Sequence, residues 1–346
     1  MNVYRLLRLF RGVNSPRLRM LGIWALHVMN RRYLGVFLDP VLMCNLQCRM
    51  CYFSDKERRK TLHGMFSVEE LSLVAKGFFP HALKLQIGCG AEPTLSPHLP
   101  RIVKDGKAMG VPYISVTTNG QLLSEALLRD MARAGLDELT ISLHGTTRDV
   151  YEYFMQGASW DKFQAMLEAI RRVRNDFPSM KLRVNYTLNG DNVDGLKLFW
   201  EVFSDIRVDV LQLRPVQEIG NTQYTDFSMV PIMEQYDDVL VPLAEACRKR
   251  GITCLIPSRE NLMALEQGRV YSDKSERERI VEDVVYCNIT PGHVWRSDFD
   301  LKRDTFRSYN KRSRLASRLL RLALTPGTLR PTDRNERTER LNYEVR

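Results

Sequence analysis

Between Leu34 and Ile256 seven short β-rich runs alternate with six helical stretches, and no other feature of the chain constrains its fold as strongly. The strand candidates are Leu34–Met43, Leu83–Gly88, Tyr113–Thr118, Glu138–Leu143, Leu182–Leu188, Val208–Leu213 and Ile252–Ile256. Helical patterns lie near 67–79, 97–109, 123–134, 159–175, 194–204 and 232–250. Ser67 with Glu70 three residues later predicts a capping box at the first of these helices. The strands read as nearly continuous apolar runs, the pattern of strands buried on both faces. Repeated β–α units imply a parallel sheet with right-handed crossovers, arranged as an open sheet or as a full or partial barrel.

The ends differ from this middle. Residues 1–38 carry seven arginines and no acid, and residues 302–346 carry thirteen Lys/Arg against five Asp/Glu. The stretch between holds 31 basic and 36 acidic residues, so the net charge of +10 resides in the termini. In the first segment, Gly12 and Pro16 divide two helices: Leu6, Leu7, Leu9 and Phe10 interleave with Arg5, Arg8 and Arg11, and Leu21, Trp24, Ala25 and Val28 follow at helical spacing. In the tail, Leu315, Leu319, Leu322 and Ala323 form an apolar stripe among arginines, and the stretch after Pro326 has the composition of a disordered segment. Basic amphipathic ends around a mildly acidic core suit an anionic membrane surface better than a nucleic-acid groove. No apolar run approaches the ~18 residues of a membrane span. Nothing after Leu21–Met29 resembles a secretory cleavage site, and an odd count of seven cysteines is not an extracellular disulfide framework, so a reducing cytoplasm is expected.

Three of those cysteines fall within eight positions, Cys44-Asn-Leu-Gln-Cys48-Arg-Met-Cys51, directly after the first strand. Three thiolates on one short loop can converge on a small inorganic centre, zinc or iron–sulfur. Structural zinc closes its tetrahedron with a fourth Cys or His, and the local candidates, His63 and Cys89, have no repeating spacing. A 4Fe–4S cube held by three cysteines leaves one iron open for a ligand. The carboxyl end of the first strand in a βα array is also where such folds place their active sites.

With these residues in view, the chain resembles the radical SAM (S-adenosylmethionine) superfamily. Gly90-Ala91-Glu92-Pro93 is similar to that family's Gly-Gly-Glu-Pro motif, with Ala91 in place of the second glycine. Thr117-Thr118-Asn119-Gly120, Ser142-Leu143-His144-Gly145 and Asn185 resemble its landmarks at the ends of the third, fourth and fifth strands. The resemblance implies an α/β fold, a partial (β/α)6 TIM-like barrel over 34–257. Around it lie basic amphipathic N-terminal helices (1–33), a C-terminal extension of uncertain fold (258–301) and a basic, partly helical tail (302–346). It implies Cys44, Cys48 and Cys51 as ligands of a 4Fe–4S cluster whose open iron binds S-adenosylmethionine. Gly90, Ala91 and Glu92 are then expected at its methionine moiety, Ser142 and Asn185 at the ribose, and Met50 near the adenine. The expected activity is reductive cleavage to a 5′-deoxyadenosyl radical that attacks an unactivated carbon, with a ferredoxin or flavodoxin as reductant. The substrate is open: a membrane-associated lipid or glycan precursor, a peptide or RNA. A metal-binding module that has kept the barrel and lost the reaction is the competing class. Cys247, Cys254 and Cys287 lack the local spacing for a complete second cluster, so no auxiliary-cluster domain is expected. Gly88 and Gly90 do not begin a dinucleotide fingerprint, because Pro93 occupies the third glycine position.

Overall fold

In the computed structural model the residues described are 13, 15–268 and 275–327. The first expected helix and the stretch beyond Gly327 lie outside them. One nine-stranded sheet organises the rest, in the order β7-β6-β5-β4-β3-β2-β1-β8-β9. The strands are β1 Leu34–Leu38, β2 Ala82–Ile87, β3 Tyr113–Thr118, β4 Glu138–Leu143, β5 Lys181–Leu188, β6 Val210–Pro215, β7 Thr253–Leu255, β8 Tyr286–Thr290 and β9 His293–Val294. Every neighbouring pair is parallel except β8–β9. The architecture is thus the expected α/β partial barrel, with the first seven strands in consecutive order.

Two readings of the sequence need correction. The first strand stops at Leu38 rather than Met43, because Asp39-Pro40 ends the ladder and the chain turns away. The strands are also not continuous apolar runs. In β4, Leu139, Ile141 and Leu143 alternate with Glu138, Thr140 and Ser142; in β5, Leu182, Val184, Tyr186 and Leu188 alternate with Lys181, Arg183, Asn185 and Thr187. The apolar set packs with helix residues in the main core. The polar set shares the opposite, concave face, where Arg183 Nε reaches Glu138 Oε1 at 3.0 Å and Lys84 Nζ reaches Gln86 Oε1 at 3.0 Å. A barrel that works inside its lumen needs this polarity.

The helices close the outer layer. Val68–Phe78 begins with the expected capping box, Ser67 N donating to Glu70 Oε2 at 2.8 Å and Glu70 N to Ser67 Oγ at 3.2 Å. The expected helix 232–250 is broken into Val230–Glu234, a wide turn at Tyr236–Leu240, and Val241–Lys249. Residues 258–301 resolve into helices Arg259–Glu266 and Glu276–Val285 followed by β8, which pairs parallel with β1 on the side away from β2. The helix Pro16–Val28 buries Met20 and Ile23, leaving Val28, from the expected stripe, 57% exposed. It packs on the helix Leu315–Leu324, whose buried face is Leu315, Leu319 and Ala323. The two basic ends of the described chain therefore lie together. No helix of the described residues is long and apolar enough to cross a membrane.

Candidate active site at the carboxyl ends of the strands

Parallel strands bring their carboxyl ends to one rim, and the sequence-singled residues collect there. The cysteine loop leaves β1 and is pinned by backbone bonds: Gln47 N to Gln156 O, Arg49 N to Phe154 O and Cys51 N to Cys48 O, each 2.9 Å. Leu46 and Met50 are buried in the core, 1% and 4% exposed, and Cys44 and Cys48 pack half-buried against the same cluster. Burial raises the Cys44 thiol to about 12 and the Cys51 thiol to about 11. Cys48 is pushed well above the usual thiol value by burial and by its two thiol neighbours. Cys44 Sγ accepts from Leu46 N at 3.4 Å and faces Asn119 Nδ2 at 3.8 Å. Three neighbouring, half-buried thiols with few donors fit an inorganic cationic centre, which would take the place of their protons. Among the described residues no group of three or more His, Cys, Asp or Glu side chains is placed to hold a single metal ion. An iron–sulfur cube takes each thiolate at a different corner and does not require the sulfurs to meet at a point.

Opposite this loop stands the turn after β2. Gly88 has φ +79°, and a Cβ there would lie 2.3 Å from Thr117 O, so glycine is obligatory at the bend. The Glu92 side chain is 2% exposed and fully engaged. Its Oε1 accepts from Thr94 N (3.1 Å), Thr94 Oγ1 (2.6 Å) and Thr118 Oγ1 (2.6 Å), and its Oε2 from Asn119 N (2.8 Å). Burial raises its pKa against these donors. Glu92 N in turn donates to Met43 O at 2.9 Å, tying the turn to the cysteine loop. The Tyr52 hydroxyl donates to Gly90 O, and Asn119 Nδ2 donates to Asn45 Oδ1 at 2.9 Å.

Ser142 and Asn185 are direct register partners on β4 and β5, which places the two short polar side chains side by side. Asn185 Oδ1 is buried without a partner, as are Ser115 Oγ, Thr117 Oγ1 and His144 Nδ1. Burial and the neighbouring Arg214 lower the His144 pKa to about 4, so the ring is neutral at pH 7. Met50 is fixed in the core, its sulfur 2.9 Å from Asn189 Nδ2. Of the other cysteines, His63's companion candidate Cys89 directs its thiol to Gln86 O (3.7 Å), while His63 itself is exposed. Cys247 and Cys254 hydrogen-bond to each other, and Cys287 is buried in β8.

Asp39 is the residue that sequence reasoning missed. It sits at the end of β1, 2% exposed, and its Oδ1 accepts from Cys89 N (2.7 Å), Gly90 N (3.1 Å) and Ala91 N (3.4 Å). Burial raises its pKa to about 6 although the three N–H groups pull it down. An Asp before Pro reads as an ordinary turn residue, and its partners lie fifty positions away.

Comparison with known proteins agrees with this geometry. The radical SAM superfamily model matches residues 40–195. A probable GTP 3′,8-cyclase of Metallosphaera sedula is 31% identical over 203 residues, 58% of this chain and 61% of that protein. One from Saccharolobus solfataricus is 29% identical over 177 residues, 51% of this chain and 55% of the relative. The chain thus spans little more than half the length of these curated relatives. Among solved structures, Streptococcus suis SuiB bound to S-adenosylmethionine superposes with a TM-score of 0.56 at 12% identity, covering 75% of this chain and 58% of that one. The structure of anSMEcpe with AdoMet and a Cp18Cys peptide gives 0.57 at 13% identity, covering 85% and 84%. At such identities these two speak for the fold alone. Members of the matched family use a 4Fe–4S cluster and S-adenosylmethionine, and residues 40–195 of this chain, with the cysteine loop at the rim of a partial barrel, form a radical SAM domain.

Proposed function

We propose that the protein is a radical-generating enzyme in which Cys44, Cys48 and Cys51 hold a 4Fe–4S cluster and the rim residues hold S-adenosylmethionine. The observation that carries this reading is the bonding of the cysteine loop to the turn 88–92 through Met43 and Tyr52, and to the end of β3 through Asn45 and Asn119. The chemistry that the bound pair supplies is one-electron cleavage of the sulfonium, giving a 5′-deoxyadenosyl radical able to abstract hydrogen from an unactivated carbon. The chain's part is positioning. Gly90 and Ala91 allow close backbone approach to the methionine moiety. Glu92 holds that turn against β3 rather than reaching for the ligand, since its carboxylate already accepts four hydrogen bonds. Ser142 and Asn185 serve the ribose hydroxyls, while Met50 is held in the core with its sulfur on Asn189 Nδ2.

Anaerobic reconstitution with iron and sulfide, reduction in the presence of S-adenosylmethionine by a ferredoxin, a flavodoxin or dithionite, and mass-spectrometric detection of 5′-deoxyadenosine test the reading. Product from the wild type and its loss in each single Cys→Ala variant at 44, 48 and 51 is the expected result. Failure to assemble any cluster would return the chain to the class of inactive metal-binding modules.

For the substrate we favour a hydroxyl-bearing precursor of lipid or glycan type presented at an anionic membrane on the cytoplasmic face. The unpartnered Ser115, Thr117 and His144 polar atoms on the concave face suit a hydroxyl-rich molecule. The paired terminal helices expose Leu18, Val28, Met29 and Leu324 beside Arg31, Arg314, Arg318 and Arg321. Reversing Arg314, Arg318 and Arg321 to Glu is expected to weaken binding to phosphatidylserine vesicles by about 100-fold or more, at ~1 kcal/mol per basic residue. Vesicle binding that survives the triple reversal removes the membrane from the proposal. The relatives' names raise GTP as a second substrate class, tested by adding GTP to the same 5′-deoxyadenosine assay.

A further inference from the structure

Asp39 does something that none of the expected site residues does. Three consecutive backbone N–H groups, of Cys89, Gly90 and Ala91, converge on its Oδ1 at 2.7, 3.1 and 3.4 Å. Successive N–H groups curled toward one point form a nest that ordinarily receives an anion from outside. Here the anion is part of the chain, delivered by the residue that directly follows β1 and leads into the cysteine loop. Neighbouring bonds converge on the same turn: Gly88 N donates to Leu38 O at 2.9 Å, Glu92 N to Met43 O at 2.9 Å, and the Tyr52 hydroxyl to Gly90 O. The turn has no helix or strand ladder of its own between Gly88 and Glu92, so these bonds define its shape. Burying a carboxylate is costly, and it persists because charge-assisted bonds hold the three amides more firmly than a neutral acceptor would.

We infer that Asp39 is a positioning residue for S-adenosylmethionine, setting its affinity by holding Cys89–Ala91 in the shape that presents the turn's backbone to the methionine moiety. The inference rests on the radical SAM reading above and extends it to a residue outside every motif that led there. Because the nest is filled internally, Cys89, Gly90 and Ala91 do not offer their N–H groups to the ligand's carboxylate. Asp39 acts through the turn and needs no contact with the ligand.

The test uses the full chain, reconstituted anaerobically, with S-adenosylmethionine itself as the probe. Asp39→Ala should keep its iron content and the EPR signal of the reduced cluster without ligand. Its affinity by anaerobic calorimetry should fall by about tenfold or more, and the change in EPR signal on adding S-adenosylmethionine should need correspondingly more ligand. Asp39→Asn leaves one acceptor oxygen in the same place and should stay within about threefold of wild type. A merely structural role would lower melting temperature in both variants without this split in affinity. Should the alanine variant fail to fold or to load iron, Asp39→Ser supplies the same comparison with a smaller polar side chain. Alanine or serine variants that bind as tightly as wild type, or an asparagine variant as weak as alanine, would overturn this inference alone. A loaded wild type that does not bind S-adenosylmethionine overturns it together with the reading beneath it.

Discussion

Replacing Glu92 by alanine should destabilise the protein by about 4–8 kcal/mol and abolish measurable S-adenosylmethionine binding, the largest effect of any single change at the rim. The estimate starts from the four donors on its carboxylate. The Thr94 and Thr118 hydroxyls can rotate toward other acceptors, but the backbone N–H groups of Thr94 and Asn119 cannot. Each buried N–H left without an acceptor costs about 1–3 kcal/mol, and the cavity left by the side chain adds about 2 kcal/mol. Glutamine is not a silent substitute. Whichever way its amide is turned, its NH2 faces either Asn119 N or Thr94 N, donor against donor. Glu92→Gln should therefore lie between wild type and alanine, about 1–3 kcal/mol less stable. Denaturant melts of the three proteins, with ligand binding measured in parallel, check the series. A glutamine variant indistinguishable from wild type in both would mean that the carboxylate's charge and its full set of acceptors are unimportant to the turn.

The motif that singled out Glu92 says nothing of the four intrachain donors on its carboxylate, and this shows where reading the chain reaches its limit. Motif order located the rim: Cys44, Glu92, Asn119 and Ser142 lie at or beyond strand ends, and Asn185 lies within β5 beside Ser142. What a linear reading lacks is the partner of each polar group. Ser142 and Asn185 become a pair only through the β4–β5 register. Asp39 meets its three N–H donors only when β1 and β2 lie side by side. β8 was missed for a related reason. Tyr-Cys-Asn-Ile-Thr is short and half polar, and only its place against β1 makes it a strand. The polar face of the barrel was, by contrast, legible and misread. Leu-Lys-Leu-Gln-Ile, Glu-Leu-Thr-Ile-Ser-Leu and Lys-Leu-Arg-Val-Asn-Tyr-Thr-Leu alternate with period two, a pattern that marks one wet or lumen-facing surface.

The second large effect lies at the other end of that polar face. Glu138→Ala should destabilise the fold by about 3–5 kcal/mol, because removing one member of a buried ion pair strands the other. The Glu138 side chain is 1% exposed; its Oε1 meets Arg183 Nε at 3.0 Å, and its Oε2 accepts from the Tyr113 hydroxyl at 2.7 Å. Burial alone would raise its pKa, but Arg183, Tyr113 and the nearby Lys84 outweigh burial and hold it below the usual range. The sign follows for pH. A carboxyl depressed in the folded state contributes stability that is present above its unfolded pKa and is lost as pH falls through the folded value. Wild type should therefore lose stability in the acid limb, and Glu138→Gln should flatten that limb while lowering stability at pH 7. Replacing both partners, Glu138→Leu with Arg183→Met, should recover much of the loss, since well-packed apolar substitutes remove the desolvation cost together with the attraction. The comparison separates two roles for the pair. Recovery of stability in the double variant with radical generation intact would mark it as an exchangeable floor to the barrel. Recovery of stability with 5′-deoxyadenosine formation lost would show that the polar lumen itself, and not only the rim, is required for the chemistry. A single Glu138→Ala variant within about 1 kcal/mol of wild type would remove the premise, because a guanidinium that keeps Gln212 but loses its carboxylate inside the barrel cannot be that cheap.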